Sequence, residues 1–216
     1  MVKNEVDNRG KKEYFINDIE PISKPIYSSL KRLFDVLFAS VALIVLFIPM
    51  IIVTILVKFD SPGPVIFRQK RVGKDGKEFV MYKFRTMRVD AEKNGPQWAD
   101  DNDQRCTRIG HFLRKVRLDE LPQMINVLKG EMSIVGPRPE RQYFYDLFET
   151  YIHGFYCRTK VTPGITGWAQ INGGYDLKPE EKIIYDIQYI NDRSLLMDMK
   201  CIFLTVKTIF TREGSR

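Results

Sequence analysis

The chain has 216 residues, 44% of them hydrophobic, and a formal charge of +7, which describes a basic, foldable protein with one good core and room for a small appendage. Its three cysteines (Cys106, Cys157, Cys201) are odd in number and far apart, and neither they nor His111 and His153 form a zinc-type set. A disulfide scaffold and a structural metal are therefore not expected, and the thiols read as reduced packing residues. The basic excess leaves three partner classes open: nucleic acid, an anionic membrane surface and a phosphorylated substrate.

Residues 1–29 are polar with no periodic apolar face, and the first apolar run comes too late for a cleavable signal; a flexible tail or loosely docked arm is expected. Residues 36–57 then carry no charge and are about as long as a bilayer-spanning helix, at ~20 residues. A core helix would normally keep one polar face and this run has none, so membrane insertion is expected over residues 30–58. Lys31 and Arg32 precede the run, and Lys58, Arg68, Lys70, Arg71, Lys74 and Lys77 follow it, which puts both ends on the cytoplasmic face. Pro49 removes a backbone hydrogen bond past the middle and bends the helix. A re-entrant helix broken at Pro49 satisfies both features, and a kinked single span is the alternative. Asp35 is costly in lipid unless paired, with Lys31 or Arg32 as its expected partner.

Residues 59–216 read as a folded domain at the cytoplasmic face. Ser61-Pro62-Gly63-Pro64 is a rigid turn leaving the membrane. Residues 65–71 and 78–84 read as strands joined across Gly73-Lys74-Asp75-Gly76, and the second delivers Lys83, Arg85 and Thr86 at its end. Residues 88–105 are polar and aperiodic, a mobile loop of the kind that forms lids. Within it, Asp101-Asn102-Asp103 has the Asp-x-Asp form of many metal-dependent glycosyltransferases; no apolar strand precedes it and no βαβ series surrounds it, so it reads as a solvated acidic loop.

Short helices are expected at 109–116 and 121–128, then a strand at 133–135 running into Gly136-Pro137-Arg138-Pro139. The two prolines pin Arg138, as suits an arginine meeting phosphate oxygens in a fork, although this loop alone reads first as a tight turn with a solvated arginine. The aromatic-rich stretch 143–156 and the apolar stripe of 195–210, with Asp198, Thr205 and Thr208 opposite, fit the headgroup layer or, more commonly, a protein core. The glycine-rich run 162–174 suits a nucleotide or sugar, though it is neither a P-loop nor Gly-x-Gly-x-x-Gly.

The most telling motif is Leu118-Asp119-Glu120, set beside Arg114, Lys115 and Arg117, with Pro122 fitting only the first turn of the helix that follows. A carboxylate there is expected to stay ionised, because the helix N-terminus and the guanidinium groups favour its charge. That suits a nucleophile for phosphorus, provided a second group and a metal neutralise charge on the target. Alone, such a pair is most often a solvated helix start.

Together these blocks resemble the monotopic phosphoglycosyl transferases, the bacterial sugar transferases that begin capsule, exopolysaccharide and glycoprotein glycan assembly. The matching blocks are Lys31-Arg32-Leu33-Phe34-Asp35, Ser61-Pro62-Gly63-Pro64, Tyr82-Lys83-Phe84-Arg85-Thr86-Met87, Leu113-Arg114-Lys115, Leu118-Asp119-Glu120-Leu121-Pro122-Gln123, Leu128-Lys129-Gly130-Glu131-Met132-Ser133, Val135-Gly136-Pro137-Arg138-Pro139 and Pro163-Gly164-Ile165-Thr166-Gly167. The resemblance implies an α+β, mostly helical, monotopic membrane protein with a re-entrant helix-break-helix hairpin, a small β-hairpin and interfacial amphipathic helices. It implies residence in the bacterial inner membrane, on the cytoplasmic face. It implies transfer of a sugar-1-phosphate from a UDP-sugar to a polyprenol phosphate such as undecaprenyl phosphate, with release of UMP. Asp119 would form a phosphosugar ester and Glu120 would support the reaction as acid/base or through the metal. Mg²⁺ would sit with Asp119, while Lys83, Arg85, Arg114 and Arg138 would surround the phosphates. The lipid bilayer and downstream glycosyltransferases are the implied partners; nucleic acid is not. The alternatives are a membrane-tethered basic adaptor protein and a metal-dependent glycosyltransferase releasing UDP.

Overall fold

The computed structural model describes residues 2–6, 12–17, 19–93, 95, 103–173 and 177–211. In chain order the elements are strands β1 (Val2–Val6) and β2 (Lys12–Ile16), helices α1 (Pro25–Val45) and α2 (Phe47–Asp60), strands β3 (Ile66–Val72) and β4 (Glu78–Phe84), helices α3 (Arg108–Lys115) and α4 (Gln123–Lys129), strand β5 (Ser133–Val135), helix α5 (Gln142–Glu149), strands β6 (Ile152–His153) and β7 (Gly164–Thr166), and helices α6 (Trp168–Ile171), α7 (Pro179–Asp192) and α8 (Leu195–Thr211). Three small sheets, β1-β2-β6, antiparallel β3-β4 and parallel β5-β7, sit among the helices, an α+β architecture that is mostly helical.

The N-terminal stretch departs from the expected loose tail. β2 pairs in parallel with β6, Tyr14 opposite Ile152, and Ile16 joins a core of Phe144, Phe148, Ile152 and Phe155. Tyr14-Phe15-Ile16 is too short to display a period; it is a strand because β1 pairs with it along its length on one side and β6 on the other.

α1 and α2 form a pair bent by 63°, and no single helix among the described residues is long and apolar enough to cross a membrane. The break lies at Leu46, not at Pro49. A proline ring clashes with the carbonyl of the residue four earlier, here Val45, so the first helix ends there and Pro49 falls in the opening turn of the second, where a missing N–H costs little. Leu37, Val41, Ile44, Phe47, Ile48, Ile52, Ile55 and Phe59 are all exposed, an apolar surface far beyond what a water-facing helix carries.

The polar residues of α1 dock it onto the domain, in partnerships other than the expected one. Asp35 is buried and accepts from the Ile134 backbone N–H at 3.0 Å. Arg32 donates to the Leu128 carbonyl at 2.8 Å, satisfying the end of α4, and Lys31 pairs with Asp198 at 2.9 Å. Tyr189 and Tyr27 donate to the same Asp198 at 2.8 and 2.9 Å, which ties α1, α7 and α8 together.

This hub turns α8 inside out. Asp198 and Cys201 are buried and Thr205 bonds Thr166 at 2.6 Å, while Leu196 and Phe203 are 82% and 72% exposed. Leu195, Leu196, Met199, Phe203 and Val206 of the stripe therefore face away from the core, while Ile202 packs against it. The aromatic stretch does the reverse: Phe144, Tyr145, Phe148 and Phe155 form the main core beneath α5. Buried Asn126 of α4 locks β4 in place, accepting from the Tyr82 N–H at 3.1 Å and donating to the Val80 carbonyl at 2.7 Å. Asn126→Leu strands both backbone groups and is expected to cost about 2–4 kcal/mol, read as a fall in melting temperature.

Candidate active site

The end of β4, the α3–α4 connection and the loop after β5 meet around a cavity of about 420 Å³. β4 brings Lys83, with Phe67 directly opposite it on β3. Arg114 comes from the last turn of α3. The chain then turns through Arg117 at φ 56°, the left-handed region, which costs a non-glycine residue about 1 kcal/mol, and runs into a tight 3₁₀ turn, Leu118–Glu120. Pro122 follows that turn and opens α4, so Asp119 lies just ahead of the helix.

Asp119 and Glu120 are both buried, and their surroundings separate them. Glu120 Oε1 receives Lys83 Nζ at 2.9 Å and Arg138 Nη2 at 2.6 Å. Burial opposes its ionisation, but Arg138 and Lys83 overcome that and hold the carboxyl well below the usual range. Asp119 makes no hydrogen bond among the described residues. Burial pushes its carboxyl up to about 6, against the pull of Lys83 and with the neighbouring Glu120 charge adding to the rise. The expected direction of the shift is thus corrected: desolvation outweighs the guanidinium groups, so the Asp119 carboxyl is raised and not lowered, and the stabilised charge belongs to Glu120.

Arg138 is held from several sides. Gly136 and Gly164 bring two backbones so close that a Cβ on Gly164 would lie 2.1 Å from the Gly136 nitrogen, so the glycine-rich run packs against this loop. Arg158 Nη2 donates to the Arg138 carbonyl at 3.0 Å and Arg71 Nη1 to the Pro139 carbonyl at 3.1 Å. Arg158 pairs with Asp186 at 2.7 Å, both fully buried, and Arg71 pairs with Glu140 at 3.1 Å. The loop arginine is therefore a pinned cation aimed at Glu120, not a solvated one.

Arg85 has a different task from the expected one. Its guanidinium donates to the Pro62 carbonyl at 2.7 Å and the Ser61 carbonyl at 2.6 Å, clamping the turn that leaves α2. It borders the cavity, but its fork is spent on backbone. Arg114 faces the cavity with one nitrogen on Cys106 Sγ at 3.0 Å. Asp103 is not solvated: buried, it takes Arg105 Nε at 2.7 Å, while Asp101 and Asn102 lie outside the described residues.

Residues that sequence reasoning passed over include Arg71, Glu140, Arg158, Lys182 and Asp186. Arg71 shares a face with Phe67 and Lys83 in the β3-β4 register, a signal that strand alternation holds. Lys182 and Asp186, four apart on α7, read in sequence like an ordinary solvated pair.

The oxygen donors suit Mg²⁺ in one respect: Asp119 is a carboxylate with no hydrogen-bond partner among the described residues, and Mg²⁺ takes one or two carboxylates with waters and substrate phosphates. No group of three or more metal-ligating side chains occurs among the described residues, so such an ion fits only with substrate oxygens completing its shell.

The model of the bacterial sugar transferase family matches residues 26–212. The chain belongs to that family. The chain is 47% identical over 199 residues to the UDP-N-acetylgalactosamine-undecaprenyl-phosphate N-acetylgalactosaminephosphotransferase of Aeromonas hydrophila, covering 90% of this chain and 47% of that protein. It is 46% identical over 191 residues to the UDP-glucose:undecaprenyl-phosphate glucose-1-phosphate transferase of Escherichia coli (strain K12), covering 86% and 41%. With an exopolysaccharide production protein of Rhizobium leguminosarum bv. phaseoli it shares 42% over 192 residues, covering 85% and 96%. The chain thus spans about half the length of the first two relatives and nearly all of the third. Strands β1 and β2 precede the matched range.

Proposed function

We propose that this chain transfers a sugar-1-phosphate from a UDP-sugar to a polyprenol phosphate, releasing UMP. In the first displacement a carboxylate oxygen of Asp119 attacks the β-phosphorus. The bond from that phosphorus to the bridging oxygen breaks, and UMP leaves with that oxygen. In the second, a phosphate oxygen of the polyprenol phosphate attacks the same phosphorus and the bond to Asp119 breaks, which restores the carboxylate. Lys83, Arg114 and Arg138 offset the phosphate charge. Glu120, ionised and paired twice, positions Lys83 and Arg138 instead of trading protons. Mg²⁺, when bound, would be held by Asp119 with substrate phosphate oxygens and would neutralise diphosphate charge.

The observation that carries this reading is the divided pair: one carboxylate saturated by cations, its neighbour unbonded at the wall of a cationic cavity. The family and the relatives' substrates support the reaction class. In the same reading, the bent α1–α2 pair enters the bilayer and returns to the cytoplasmic face, and the outward stripe of α8 lies in the headgroup layer. This brings Asp119 to the plane where a lipid-borne phosphate resides.

Incubation with UDP-glucose or UDP-N-acetylgalactosamine, Mg²⁺ and undecaprenyl phosphate is expected to yield UMP; UDP as the nucleotide product overturns the mechanism. Because the nucleophile must be ionised, kcat/KM for the UDP-sugar is expected to be flat above pH 7. It should fall tenfold per unit below about pH 6, the value to which burial raises Asp119. An acid limb near pH 4 would show instead that Asp119 is not desolvated.

A further inference from the structure

We infer that the polyprenyl chain of the acceptor reaches the site over an apolar lip formed by Pro64, Phe67 and Val89, an inference that rests on the reaction proposed above. The cavity wall around Asp119 is cationic, yet Pro64, Phe67 and Val89 also line the cavity. Phe67 is the register partner of Lys83 across the β3-β4 ladder, which puts the two side chains on one face, and it is 38% exposed. Val89 is 70% exposed and folds over the exit turn of α2, its Cγ2 lying 2.7 Å from where a Cβ on Gly63 would be. Gly63 has φ +123°, open to glycine, and the absent side chain is what lets Val89 and the Arg85 guanidinium share the space above the turn.

In chain order the end of α2, where Phe59 is 87% exposed, is followed within eight residues by Pro64 and Phe67, which line the cavity together with Lys83. Exposed apolar groups at the mouth of a charged cavity match an amphiphile with an apolar tail and an anionic head. A UDP-sugar has no extended apolar part; a polyprenol phosphate does. With its tail on Phe67 and Val89, its phosphate meets Lys83 and lies beside Asp119. Arg85 keeps the path rigid by clamping Ser61 and Pro62.

The test compares the wild-type protein with Phe67→Ser and Val89→Ser, using undecaprenyl phosphate, a prenyl phosphate of one isoprene unit, and UDP-sugar without acceptor. Each variant is expected to raise KM for undecaprenyl phosphate about tenfold, the loss that goes with a missing apolar contact. KM for the one-unit phosphate should change less than twofold, and the acceptor-independent burst of UMP and KM for the UDP-sugar should stay at wild-type values. Phe67→Leu should recover most of the acceptor affinity. A rise in KM for the UDP-sugar would show that Phe67 contacts the donor, and an equal rise for both acceptors would show that the tail does not touch the lip; either overturns the inference. A wild-type protein that releases no UMP burst instead overturns the two-step reaction itself.

Discussion

Replacing Asp119 by asparagine is expected to abolish turnover, by about 10⁴-fold or more, and to raise the melting temperature at pH 8. The first effect follows from losing the oxygen that bonds to phosphorus. The second follows from linkage. Burial lifts the Asp119 carboxyl from 3.8 to about 6, so the folded state holds a proton that the unfolded chain releases at lower pH. A carboxyl with a raised folded value adds stability below its unfolded value and loses it as pH rises through the folded one. For Asp119 that window runs from about pH 4 to 6, so the ionised carboxylate destabilises the folded state at neutral pH. Asparagine removes the charge but still buries an amide, so a net gain of about 1–2 kcal/mol, or roughly 3–6 °C, is expected. Thermal melts at pH 4 and pH 8 check the sign, because the difference between variant and wild type should appear only at the higher pH. A variant that is less stable at pH 8 would mean that Asp119 is held by partners and not by desolvation.

Arg158→Met is expected to be the most destabilising single change outside the apolar core. Arg158 and Asp186 are 2% and 1% exposed, 2.7 Å apart, and the guanidinium also packs on the Phe155 ring at 4.9 Å. Removing one partner leaves Asp186 as an uncompensated buried charge, a loss of about 3–5 kcal/mol and roughly 10 °C or more in melting temperature. Because Arg158 also holds the Arg138 carbonyl, the fraction that stays folded should turn over more slowly. Arg158→Met combined with Asp186→Leu removes both charges and is expected to regain most of the stability, while the Arg138 loop stays without its bond and activity stays low. Recovery of full activity by the double variant would show that the buried pair does not position Arg138.

Much of the site's composition was legible in sequence. Asp119, Glu120, Lys83, Arg114 and Arg138 were found from short ordered blocks, and all five border one cavity. Strands β3 and β4 and helix α3 fell close to the expected ranges because a glycine-flanked turn and a Thr107 cap mark them locally. What was missed depended on partners distant in sequence. The docking of the β1-β2 hairpin depends on β6, more than a hundred residues on from β2. The stripe of α8 was read as more often core-facing because amphipathic helices usually bury their apolar side; Asp198 reverses this by taking three polar partners inward.

The chain by itself determines the local features: the apolar run broken near Pro49, the hairpin bearing Lys83, and a carboxylate pair ahead of α4 among cations. Those follow from backbone sterics and from residue periodicity over a few positions. Only the tertiary structure decides which carboxylate is the paired one, since Glu120 meets Lys83 and Arg138 from 37 and 18 residues away while Asp119 is left desolvated and unbonded. It alone assigns Arg85 to the α2 turn and buries Arg158 with Asp186 behind the Arg138 loop. Charge type is written residue by residue, but its solvation and its partner are set by whichever segments pack around it.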